Sequence, residues 1–223
     1  MTTRRPRRVP DPSREPGAAQ VPVRRRALSP LVLYGRSRGL PGTLALVTVV
    51  LLITAWMAPR LVWENGFKDP TARLPLITLA PLAVAAAIAT GLHTHSAELD
   101  RTAARPWWRP RLLHIAGMTG AAAAGFAMAV TGNPESYGSP AAIRNLLGAV
   151  GVTLLTAALA GAGASWLPMA LYSAVTFFVP QPPGIWGWLS RPGWEPGAWA
   201  TAVTLFAAGT TTWALRGSRK GAA

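Results

Sequence analysis

Between Asn145 and Ser190 the chain runs for 46 residues without one formally charged side chain. Any fold open to such a stretch must keep nearly all of it out of water. Lipid is the solvent that suits it. Crossing about 30 Å of hydrocarbon takes about 20 predominantly apolar residues. Forty-six residues are too many for one crossing and about right for two. The break falls at Gly161-Ala-Gly-Ala-Ser165, a flexible small-residue turn. A fourth span is therefore expected over 141–160 and a fifth over 165–180.

The remaining apolar runs extend the pattern. Spans are expected over 40–59, 74–92, 112–132 and 196–215. The fold class is all-α: a polytopic integral membrane protein with about six transmembrane helices over 39–215. Composition agrees, since 13% of the 223 residues are charged, against about 25% in soluble domains. The 21 prolines and 22 glycines argue against a bundle of ideal, uninterrupted helices. Without cysteine, disulfides, thiolate metal sites and a cysteine nucleophile are excluded.

Net charge is +14, which by itself fits either nucleic acid or an anionic membrane surface. Its distribution decides for topology, because basic residues avoid the apolar runs. With the N-terminus inside, residues 1–38, the 93–111 loop and the C-terminal tail hold 17 basic residues. The outer segments hold five: Arg60, Lys68, Arg73, Arg144 and Arg191. Excess Lys and Arg marks cytoplasmic loops, so both termini are expected in the cytoplasm of a bacterial cell and the protein in its plasma membrane. Residues 1–38 read as a largely disordered basic tail touching anionic lipid, or as a lead-in with an interfacial helix near Leu28–Tyr34. Residues 216–223 form a short basic tail. A twin-arginine signal does not fit, because the apolar run begins too far downstream. No nucleic-acid partner is expected.

Inside the spans, Gly117, Ala121 and Gly125 recur at four-residue spacing, a pattern that lets helix backbones approach. Pro168 lies in span five and is expected to kink it. No acid or base lies deep in a span. Arg144 comes nearest and is expected to snorkel to the interface. A proton- or sodium-coupled relay therefore has no visible carrier, and no internal repeat marks an inverted-repeat transporter. The external loop 180–196 carries Trp186, Trp188 and Trp194. Amphipathic rings suit a headgroup belt; the alternative is a pair of short re-entrant elements buried in protein.

The polar segment Leu92–His114 holds all three histidines. His93-x-His95-x-x-Glu98-x-Asp100 has metal-ligand residue types, but its spacing matches neither a helical i, i+4 pair nor an enzyme motif, and no metal is expected. His93 and His114 flank the loop, yet axial haem ligands face each other inside a bundle. The helical alternative is better supported. Ser96 serves as an N-cap, Glu98 and Asp100 fall in the first turn, Arg101 and Arg105 follow, and Pro106 stops the helix. Such a helix is either a solvated connector or a docking surface made of Glu98, Asp100, Arg101 and Arg105.

Six spans, a basic lead-in, the stretch Glu98-Leu-Asp-Arg-Thr-Ala-Ala-Arg105, the Arg144-Asn-Leu-Leu-Gly148 start of span four and a Trp/Pro/Gly-rich external loop resemble ABC-2-type transporter permeases. The resemblance covers about 30–215. It implies a permease-like exporter subunit without cofactor or catalysis of its own, working with a separate ATPase docked on the 96–105 helix, in a homo- or hetero-oligomer. The chain contains no Gly-x-x-x-x-Gly-Lys-Ser/Thr loop, as that division of labour requires. The alternative is a membrane scaffold or accessory protein that transports nothing.

Overall fold

The computed structural model describes residues 39–64, 72–91, 108–130, 137–178 and 184–217. They form six α-helices and two 3-10 turns, and no strand occurs among the described residues. The helices are α1 (Leu40–Glu64), α2 (Leu74–Thr90), α3 (Trp108–Ala129), α4 (Ser139–Ala160), α5 (Leu167–Phe178) and α6 (Pro196–Arg216). Three of these, α1, α3 and α4, contain 22-residue apolar stretches long enough to cross a membrane. The apolar α2 has 17 residues. The basic tail 1–38 and the polar segment from Leu92 to Trp107 lie outside the described residues.

Polar capping is sparse, and proline does part of that work. Pro75, Pro140 and Pro196 sit in the first turns of α2, α4 and α6, where a missing N–H leaves nothing unpaired. Pro168 falls at the second position of α5 and starts the helix. The expected kink is absent for that reason. Gly161 closes α4 at φ 103°, a conformation open to glycine at little cost. A 3-10 turn at Ala162–Ala164 follows, with the Ser165 hydroxyl donating to Ala162 O at 2.8 Å. The expected break is therefore present, but it takes up residues 161–166. What remains is a 12-residue helix rising only about 18 Å.

Helix α4 is the hub. It lies against α2, α3 and α6, and its buried positions Ala142, Leu146, Ala149, Val150, Leu154 and Ala157 are apolar. Small side chains let the helices come close. The tightest approach is between α4 and α6, where a Cβ on Gly209 would stand 2.1 Å from Gly151 O. The two helices run parallel, since both begin beside the 184–195 segment. By contrast, α1 meets the bundle along one side only, through Thr43, Val47, Val50, Leu51, Thr54 and Ala58. Leu44, Leu46, Val49, Leu52, Ile53 and Trp56 are exposed. So large an apolar face calls for lipid or a partner.

The small-residue stripe on α3 is only partly used. Gly125 takes Leu51 of α1, whose Cδ1 lies 2.3 Å from where a Cβ would stand. Nothing lies within 4 Å of such an atom on Gly117, and Ala121 is exposed. The four-residue spacing identified a face, but α4 lies on another.

Candidate functional site

At one end of the bundle the starts of α2, α4 and α6 converge on the 3-10 turn Gly184–Ser190. Arg144, one turn and a half into α4, is fully buried there at 0% exposure. This corrects the expected snorkelling, and the neighbouring chain supplies the reason. A helical segment leaves its last carbonyls without internal partners. Arg144 collects two just past the turn: Nη1 donates to Pro192 O at 2.6 Å and Nη2 to Arg191 O at 2.8 Å. Nε and Nη2 also donate to Asn145 Oδ1 at 3.2 and 3.1 Å. Asn145 Nδ2 donates to Leu189 O and to Ile77 O of α2, both at 3.0 Å. The Tyr137 hydroxyl donates to Ser190 O at 3.3 Å. Four consecutive carbonyls, 189 to 192, are thus held by side chains at the start of α4. The carboxylate whose charge acts on Arg144 is Glu195, which also meets Arg191 at 3.7 Å.

The tryptophans divide. Trp186 and Trp194 are 68% and 62% exposed, as interfacial rings should be, whereas Trp188 is 5% exposed. Trp188 departs from the expected belt because α4 offers it a seat. A Cβ on Gly148 would lie 2.2 Å from Trp188 Cη2. The ring stacks on Tyr172 of α5 with centroids 6.0 Å apart, and the Tyr172 hydroxyl donates to Trp186 O. One end of the 184–195 segment is therefore held by α5 and the other by α4. Trp199 Nε1 closes the base of α6 on Gly193 O at 2.7 Å.

A second arginine ties α1 to α2. Arg73 Nε donates to Ala58 O at 3.2 Å, and burial lowers its guanidinium from the usual arginine value. At the opposite end of the bundle, Arg111 of α3 lies 5.9 Å from the Trp213 ring of α6 and donates to Ala214 O at 3.5 Å.

Two cavities flank the Gly184–Ser190 turn. One of about 360 Å³ lies between α4, α5 and α6 under Trp186 and Trp188. A second of about 190 Å³ lies beside Arg191 and Glu195. Trp188 and Thr201 line both.

Of the residues singled out in the sequence, Glu98, Asp100, Arg101, Arg105, His93 and His95 lie outside the described residues. His114 lies in the first half of α3, half-buried. Among the described residues no group of three or more His, Asp or Glu is placed to hold a metal. Sequence reasoning missed the pairing of Arg144 and Asn145 as a latch, and the roles of Gly148, Gly151 and Gly209. The signal available was an Arg-Asn pair inside an apolar run, a costly placement unless something accepts its hydrogen bonds. Comparison with protein families, curated proteins and solved structures finds no match for this chain.

Proposed function

We propose that this chain crosses a bacterial plasma membrane six times with both termini in the cytoplasm, and serves as the permease-like subunit of an ABC-type exporter. A separate subunit hydrolyses the ATP. The observation that supports this most is the folded segment between the last two helices. Gly184–Ser190 turns back onto the bundle, seats Trp188 on Gly148 and is latched by Arg144 and Asn145. An external re-entrant element before the last crossing is what the resemblance to ABC-2-type permeases implies. It also accounts for the short α5, because the loop descends to meet that helix at Tyr172. Backbone at membrane depth is tolerated where it is buried in protein in this way.

The docking surface of such a subunit is the 96–105 segment, with Glu98, Asp100, Arg101 and Arg105 as its contacts. Affinity purification of the tagged protein in mild detergent is the test. A stoichiometric ATPase subunit is expected, lost when Glu98→Lys and Arg101→Glu are introduced together. Its absence from every preparation would overturn the exporter.

A second reading is an accessory or scaffold protein. The α4–α6 contact favours it, because glycine backbones meeting at Gly151 and Gly209 give a core with no slack between its two central helices. It predicts a stable protein whose partners are other membrane proteins.

A further inference from the structure

The two cavities share Trp188 and Thr201 in their walls, and we infer that together they hold one bilayer phospholipid with a zwitterionic headgroup. The chamber of about 360 Å³ falls at the lower end of the range of about 300–1,000 Å³ for ligand pockets. Its walls are apolar and aromatic: Val152, Met169, Tyr172 and Leu205, with Trp186 at the rim. The annex of about 190 Å³ is polar, lined by Arg191 and Glu195. Gly184 and Gly197 also line it, and nothing stands within 4 Å of where their Cβ atoms would be. Trp188 and Thr201 belong to both walls, so the polar and apolar spaces adjoin.

Depth identifies the occupant. From Glu195 in the annex to Leu205 in the chamber the chain rises ten residues along α6, or about 15 Å. That is half of the roughly 30 Å hydrocarbon core, the depth of one leaflet. An acyl chain entering beside Trp186 would keep its headgroup level with Arg191 and Glu195. Those two charges stand 3.7 Å apart and about a third exposed. The separation is loose enough for a phosphate to reach the guanidinium and an ammonium to reach the carboxylate. A singly charged headgroup satisfies only one of them.

The site stands whether or not an ATPase subunit binds, so lipid retention and co-purification report separately. Native mass spectrometry of the full chain in maltoside micelles, with equal amounts of phosphatidylethanolamine and phosphatidylglycerol added, is the test. One phosphatidylethanolamine per chain is expected in preference to phosphatidylglycerol by about threefold, the scale that a partly exposed charge contact supports. Arg191→Gln with Glu195→Gln should abolish the preference. These side chains are about a third exposed, so the fold should survive their replacement. Val152→Phe should remove the retained lipid by filling the chamber. Leu79→Trp, in the separate apolar groove between α1 and α2, should leave retention unchanged. Equal retention of the two lipids would overturn the inference. So would loss on Leu79→Trp with none on Val152→Phe.

Discussion

Gly209→Ala should separate the two helices at the centre of the molecule. An ordinary contact begins near 3.4 Å, and the new Cβ would stand 2.1 Å from Gly151 O. The backbones must part by about 1.3 Å along that line, because neither atom belongs to a side chain that can swing away. A gap of about 0.5–1 Å already forfeits a quarter to a half of a dispersion contact, and the loss extends over the buried faces around Ala149, Val150 and Ala202. Overpacking of this kind costs about 1–3 kcal/mol and sometimes more. Alanine returns about 0.5–1 kcal/mol through its better helix propensity. The net is a loss of up to about 2.5 kcal/mol. At about 2–4 °C per kcal/mol for a chain of this size, thermal unfolding in detergent followed by circular dichroism should fall by several degrees. Gly117→Ala is the matched control: the same substitution in a helix with nothing within 4 Å should leave the midpoint unchanged or raise it. If the two variants melt together, the close approach of α4 and α6 is wrong.

Arg144→Met should free the carbonyls of Arg191 and Pro192; with no native cysteine in the chain, a Ser190→Cys reporter should react faster with maleimide in that background than in the wild type. Arg144→Lys should give an intermediate rate, since an ammonium lacks the planar fork that serves two carbonyls and Asn145 at once. Trp188→Ala should destabilise by about 3–5 kcal/mol, whereas Trp194→Ala should change the melting midpoint little. Single cysteines at Arg191, just before the 21-residue α6, and at Arg216, its last residue, should be labelled by an impermeant reagent from opposite faces of sealed vesicles; labelling from one face would refute the crossing by α6.

The apolar runs were legible because hydrocarbon thickness and helical rise admit few segment lengths. The length of α5 was not legible. Gly161 showed where the break begins, but how many residues the turn consumes depends on how α4 and α5 pack. Arg144 shows the limit most clearly. In the sequence it is a charge near the end of an apolar run, and snorkelling is the cheapest fate for such a charge. Its burial becomes favourable only because carbonyls 47 and 48 positions away come within 2.8 Å.

The small residues make the same point. Gly117, Ala121 and Gly125 carry the recognisable spacing, yet of the two glycines only Gly125 faces a neighbouring helix. The contacts at Gly148, Gly151 and Gly209 follow no comparable motif across the chain. By itself the sequence determined that this protein is helical, apolar and sparing of charge, because a bilayer-compatible backbone must satisfy its hydrogen bonds within each segment. Only the tertiary structure decided which face of each helix is used and which polar groups meet, because those depend on distances between residues remote in the chain.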